Sequence, residues 1–356
     1  MWKRLPAIAA FVVASLASVQ AQQSATSPPP PAPPFETYLD LLRQSAGVPG
    51  LSAAIVQNGE IVWERGFGFQ NQEIRARATP DTPYLVGDLS STMAATLLLQ
   101  CVEERRLDLD EPVRQFGVRL PETEASLRQV LSHTSNASTG EPFRYEPDRF
   151  AQLAAAVEFC APQPYRKTIA HRILDRLAMK DSVPGVEAVQ LQPLPEGLFE
   201  ATTLDRYARI LERLAVPYRV DRRGRATRAE APADPLTAAS GVVSTVRDLA
   251  RFDAALDTIL LREETLMLAW SNALGRGGQP APMGLGWFVQ RYNDQPVIWH
   301  FGVIPNAYSS LIMKVPSRHL TLILLANSDG LSAPFQLAAG DVTRSLFAAL
   351  FLRLFV

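Results

Sequence analysis

Apolar residues recur at helical spacing from Phe35 through Leu39 and Leu42 to Ala46, which predicts a helix over 35–46. Leu51 to Gln57 and Ile61 to Phe69 read as strands, and Asn58-Gly59 between them is a strong tight-hairpin signal. A dense apolar run then predicts a long helix from Leu89 through Glu104. From 88 to about 239 the pattern stays mainly helical, with many prolines in the connections. Thr245 to Leu256 reads as a helix with Thr245 as its N-cap. Three strand candidates follow, Leu285 to Tyr292, Ser309 to Val315 and Leu320 to Ala326, and Gly340 to Phe355 closes the chain as an apolar helix. No internal repeat is visible.

Strands, a helical block and strands again make an α+β fold the economical solution. Both chain ends build one antiparallel sheet flanked by helices, with a mostly helical lobe inserted. The α/β lobe is expected from 35–87 and 240–356, and the helical lobe from 88–239. A cleft between two such lobes is a natural ligand site.

The first 34 residues do not belong to this pattern. Lys3 and Arg4, the apolar run Ala7 to Ala17 and the small-x-small triplet Val19-Gln20-Ala21 read as a signal peptide over 1–21. The run is well short of the roughly 20 apolar residues of a membrane span, so no stable membrane anchor is expected. Residues 22–34 form a proline-rich linker, and Ser27 to Pro34 should be an extended tether. An exported protein, periplasmic or secreted, follows. At 47% hydrophobic, 20% charged and a formal net charge of -1, the chain has no electrostatic footprint for nucleic acid. Cys101 and Cys160 are the only cysteines. Export makes a bridge chemically possible, but both lie in apolar helical contexts and two buried free thiols are expected. No Cys, His or carboxylate cluster has metal-ligand spacing, and no cofactor is implied.

Several ordered segments are similar to one family. They are Gly47-Val48-Pro49-Gly50-Leu51, Thr79-Pro80-Asp81-Thr82-Pro83, and Leu97-Leu98-Leu99-Gln100 with Leu107-Asp108-Leu109-Asp110. They continue as Val130-Leu131-Ser132-His133-Thr134-Ser135, then Ser240-Gly241-Val242-Val243-Ser244-Thr245 with Asp248-Leu249-Ala250-Arg251. Met283-Gly284-Leu285-Gly286-Trp287 and His300-Phe301-Gly302 complete the set. Together they resemble the β-lactamase-related serine hydrolases: class C β-lactamases, serine D-Ala-D-Ala carboxypeptidases and related esterases. The resemblance runs from about Phe35 to Asn327 and implies a β-lactamase/penicillin-binding-protein-like fold over 35–356.

That family works through three motifs. Its S-x-x-K serine and lysine fall here on Asp88 and Ser91. An aspartate cannot replace the nucleophile without another mechanism, and a serine cannot serve as a strong base. No slip of register helps, because none of Lys3, Lys167, Lys180 and Lys314 has a serine three residues before it. The Y-x-N motif falls on Tyr145-Glu146-Pro147, which keeps the phenol and loses the amide. The H-x-G motif survives as His300-Phe301-Gly302, but Val303, Ile304 and Asn306 beyond it make the strand edge bulkier than usual.

The expected reading of Asp88 is therefore a helix N-cap, set where its carboxylate occupies or repels the oxyanion site whose second donor would be the Val303 N–H. Ser90 and Ser91 have no base nearby in sequence and read as ordinary helix-start serines. Tyr145 and His300 read as packing or cleft-wall residues, His133 and Ser135 as turn-shaping ones, and Asn136-Ala137-Ser138 as a glycosylation sequon by pattern. The resulting expectation is a catalytically degenerate homologue that binds or scaffolds, with a peptide, ester or β-lactam-like ligand in the inter-lobe cleft. The alternatives are an active hydrolase using Ser90, Ser91 or Asp88 with Tyr145 and His300, and a structural or regulatory partner of cell-envelope proteins.

Overall fold

Asn58 and Gly59 set the first turn of the sheet. Both have left-handed backbone, φ 52° and 80°, as a two-residue hairpin needs, and they join β1 (Gly50–Gln57) to β2 (Glu60–Asn71). The computed structural model describes residues 32–135, 142–189, 198–230, 232 and 234–356. The segment read as a signal peptide, most of the expected linker and the Asn136-Ala137-Ser138 pattern lie outside the described residues. Residues 31–356 form one compact unit.

The remaining strands are β3 (Ala76–Arg77), β4 (Tyr84–Leu85), β5 (Val183–Pro184), β6 (Tyr218–Val220), β7 (Ala226–Arg228), β8 (Val242–Ser244), β9 (Phe288–Tyr292), β10 (Gln295–Ile304), β11 (Tyr308–Val315) and β12 (Leu320–Ala326). Seven of them form one sheet in the order β3-β2-β1-β12-β11-β10-β9. Within it β1 pairs antiparallel with β12, Leu51 opposite Ala326, so the two ends of the domain meet in the middle of the sheet. A short sheet β4-β8-β5 and the β6-β7 hairpin stand apart. Strand β5 and the β6-β7 hairpin lie within the block expected to be helical.

The helices are α1 (Ala32–Ser45), α2 (Ser90–Glu103), α3 (Leu127–Leu131), α4 (Pro147–Ala151), α5 (Ala154–Cys160), α6 (Tyr165–Ile169), α7 (Ala201–Glu212), α8 (Val246–Ala255), α9 (Glu263–Ala269) and α10 (Leu346–Phe355); α1 packs with α10 on one face of the sheet and α8 lies on the other. Strand alternation divides the core accordingly. Leu51, Ala53 and Ile55 of β1 join Leu322 and Leu324 of β12 beneath Phe35, Leu39, Phe347 and Phe351 of α1 and α10. Ala54 and Val56, with Ile323 and Leu325, face the larger core that includes α2 and α8. Thr245 caps α8 as expected, accepting from the Asp248 N–H at 3.2 Å.

Four local expectations change. Helix α1 begins at Ala32 and takes Pro33 and Pro34 into its first turn, where an absent N–H costs nothing, so residues 32–34 are helical where an extended tether was expected. Helix α10 starts at Leu346 behind the Ser345 cap, because Gly340 turns through φ 88° and a 3-10 turn follows. Strand β10 was not among the strand candidates. Val297, Trp299 and Phe301 enter one core while Ile298 and Ile304 enter the other, so the strand is apolar on both faces and shows no alternation. Finally, Cys101 and Cys160 are not free thiols. They form a disulfide with Cα atoms 6.1 Å apart, because α2 packs beside α5. No helix among the described residues is long and apolar enough to cross a membrane.

Candidate active site

Gly87, Asp88 and Leu89 form a 3-10 turn that leads straight into α2. Gly87 has φ 56°, and a Cβ there would stand 3.1 Å from the Val303 nitrogen of β10. Only glycine lets the turn approach the strand this closely. The helix cap is Leu89, with no side-chain cap bond, so Asp88 does not serve as the N-cap expected from its position. Its half-buried carboxyl is instead pushed up to about 7, mainly by burial, then by the charges of Asp234 and Asp148. The Val303 N–H acts on the same carboxyl and favours its charged form. The backbone donor expected to serve an oxyanion therefore faces a side chain of the protein itself.

The two serines after the turn have different roles. Ser90 donates to the Gly87 carbonyl at 2.8 Å and accepts from the Val242 N–H at 3.2 Å, which pins the turn to β8. Ser91, one turn along α2 from Asp88, places its Oγ 3.1 Å from His300 Nε2. The other ring nitrogen, Nδ1, lies 2.8 Å from the Phe301 carbonyl. A carbonyl only accepts, so Nδ1 carries the hydrogen and Nε2 takes the one from Ser91. Burial pushes His300 down to about 4, so the ring is neutral at pH 7. Sequence reasoning left Ser91 without a base because His300 is 209 residues away.

Tyr145 joins the same group. Its ring centroid is 6.1 Å from that of His300 and 5.4 Å from those of Phe288 and Phe301. Burial, and then the charge of Asp88, hold its phenol well above the ordinary range, so it stays protonated and can donate but not serve as a base. His133 supports it from the other side at 4.6 Å. His133 has φ 55°, accepts from the Glu146 N–H through Nδ1 at 2.9 Å and stacks on Phe150. Ser135 accepts from Arg149 at 2.9 Å. His133 lies in the turn after α3 and Ser135 just beyond it. Pro147 is the first residue of α4 and brings no side-chain donor.

Gly302 is required by close approach: a Cβ would meet the Val86 carbonyl at 2.0 Å and Ser310 Oγ at 2.5 Å. Of the residues expected to crowd the strand edge, Ile304 is buried in the core and Asn306 lies on the exposed turn at φ 59°, which leaves Val303 as the crowding side chain. Asp148 and Asp234, neither singled out from the sequence, act on Asp88 through space, and no local pattern marks them. Among the described residues no group of three His, Cys, Asp or Glu is placed to hold a metal ion.

The family model described as Beta-lactamase matches residues 35–343. The chain belongs to the beta-lactamase family. Protein flp of Staphylococcus aureus (strain MW2) is 20% identical over 334 residues, 82% of this chain and 62% of that protein. The chain thus spans about three fifths of that relative's length. Among solved structures, the octameric penicillin-binding protein homologue from Pyrococcus abyssi superposes with TM-score 0.70 at 22% identity, covering 90% of this chain and 77% of that one. The D-amino acid amidase from Ochrobactrum anthropi SV3, complexed with L-phenylalanine amide, gives TM-score 0.65 at 20% identity over 90% and 98% of the two chains. These likenesses show a beta-lactamase and penicillin-binding-protein fold, with an antiparallel sheet, helices on both its faces and a helical insertion.

In this beta-lactamase-family domain the side chains at the S-x-x-K, Y-x-N and H-x-G positions come together where α2, the loop before α4 and β10 meet. A carboxyl stands at the turn before the helix, a neutral Ser91–His300 pair lies beneath it, and a protonated phenol closes the side.

Proposed function

We propose that this chain is an exported beta-lactamase-family domain that binds a small ligand in the inter-lobe cleft without forming an acyl-enzyme at the start of α2. The observation that carries this reading is Asp88: its carboxyl occupies the helix-start position and faces the Val303 N–H. A carboxylate there repels the negative oxygen that acylation builds up. With Ser91 in place of a lysine, no cation among the described residues offsets the charge of Asp88. The cleft then favours neutral or amine-bearing peptide- or ester-like ligands over those that present a free carboxylate.

The test has two parts. The mature protein is incubated with a fluorescent penicillin, denatured and run on a gel, and no covalent label is expected. The same protein is screened by thermal unfolding against neutral amides, amino-acid amides and benzylpenicillin. A raised midpoint is expected with the first two and not with the third. A label that survives denaturation and maps to α2 would overturn the reading.

A further inference from the structure

We propose that the groove between α8, the Asn58-Gly59 turn and residues 176–178 binds a medium-chain monocarboxylate, an acid with an unbranched alkyl tail such as octanoate. This site goes beyond the reading of the cleft: none of its residues belongs to the group around Asp88, Ser91, Tyr145 and His300.

The groove has a volume of about 510 Å3, within the range of small-molecule sites. Its floor is one face of α8. Arg247, Ala250, Arg251, Ala254 and Thr258 recur at helical spacing along α8 and the π-helical turn Leu256–Leu260 that continues it. The middle of that face is alanine, which leaves open space that larger side chains would fill. The hairpin turn stands at Ala254: a Cβ on Gly59 would lie 3.6 Å from the Ala254 Cβ. Ile61, Leu177 and Ile259 supply apolar walls. Ile259 is 54% exposed, so apolar area is left in water there, and an alkyl chain laid along the alanines would cover it.

The rim selects the head group. Arg176, Arg247 and Arg251 line the same groove. Arg247 is taken up by the carboxylates of Glu64 and Asp81, at 2.9 and 2.6 Å. Arg251 gives one N–H to Asp248. Arg176 donates to the Ile259 carbonyl at 3.2 Å and pairs with no carboxylate among the described residues. A guanidinium carries five N–H donors, so Arg176 and Arg251 retain donors for a bound acid. A charge-assisted pair of this kind favours a carboxylate over an alcohol or an amine.

The backbone is unusual at the same place. Arg176 directly follows one π-helical turn, Ala170–Asp175, and Thr258 and Ile259 lie in the other. Such single turns are rare and are frequent at functional sites. Ala178, on the groove wall, has left-handed backbone at φ 52°, a conformation that costs energy for a residue with a Cβ.

The test is calorimetric titration of the whole mature chain with octanoate, hexanoate, octanol and octylamine. Saturable binding of octanoate is expected. Each methylene added between hexanoate and octanoate should tighten it by about fourfold, the effect of burying one CH2. Octanol and octylamine should bind about tenfold more weakly, as for the loss of one charge-assisted hydrogen bond. Arg176→Gln should bring octanoate down to the level of octanol and leave octanol unchanged. Ala254→Leu fills the floor and should remove both. A second readout needs no variant and stands even if a substitution disturbs folding. Octanoic acid with a diazirine on its tail, irradiated with wild-type protein and mapped by mass spectrometry, should label residues 59–61, 176–178 or 250–259. No saturable binding, equal affinity for octanoate and octanol, unchanged octanoate affinity in Arg176→Gln, or labelling outside those segments would each overturn the site. The cleft reading is judged separately, by its own panel of amides.

Discussion

The hydroxyl of Ser310 on β11 donates to the Val86 carbonyl at 2.7 Å, and Val86 leads into the turn that carries Asp88. One strand away, Gly302 lets β10 lie against the same carbonyl. The site is therefore held from below by a backbone oxygen that two strands share. Gly302→Ala would place a methyl 2.0 Å from that oxygen, and the turn must move. A loss of about 1–3 kcal/mol is expected, as for other overpacked cores. Urea unfolding of the two proteins measures it, and an unchanged midpoint would show that the turn yields without cost.

The Cys101–Cys160 bridge ties α2 to α5 across a sequence separation of 59 residues. Cross-links of this kind stabilise by about 2–4 kcal/mol, largely through the unfolded chain. Cys101→Ala, or wild type with reductant present throughout unfolding, should lose that much in denaturant titrations. The pair should also resist alkylation in the unreduced, denatured protein. Two rapidly alkylated thiols under those conditions would contradict the bridge.

Asp88 makes stability depend on pH in a defined direction. Its folded-state value is raised from 3.8 to about 7, so between those values the folded chain holds a proton that the unfolded chain has lost. Stability from this group falls as pH rises through that window, and the full cost is present above 7. His300 and His133, lowered to about 4 and about 3, act oppositely: their neutral burial costs stability below 6.5 and ceases to cost above it. Comparing Asp88→Asn with wild type cancels the histidine contribution. The variant should gain thermal stability over wild type at pH 8 and little at pH 4.5. A pH-independent difference would mean that Asp88 is ionised in the folded protein throughout.

The triple change Asp88→Ser, Ser91→Lys, Pro147→Asn supplies the hydroxyl, amine and amide of the family motifs on a backbone that keeps Tyr145 and His300 in place. Weak acylation by a fluorescent penicillin is expected, with the label on residue 88. Asp88→Ser alone should acquire no label there, since no amine stands at i+3 to accept its proton. A triple variant that folds and takes no label would place the loss in the shape of the cleft, with Val303 as the first residue to truncate.

The residue pattern alone was enough for the strands–helices–strands arrangement, the Asn58-Gly59 hairpin, the Thr245 cap and the family to which the chain belongs. Each of these depends on neighbours within a few residues: a turn angle, a cap, an apolar spacing. The resemblance also set Asp88, Ser91 and Pro147 as the positions to examine. Tertiary structure decided the rest. His300 reaches Ser91 only because β10 lies against the start of α2, Cys160 reaches Cys101 only because α5 packs on α2, and Asp148 on α4 and Asp234 before β8 raise Asp88 from separate segments. Strand β10 was reached only through its H-x-G motif and not among the strands predicted from the apolar pattern. Periodicity records what one element does with its own side chains; contacts between distant elements, and the charges they bring together, exist only once the chain has packed.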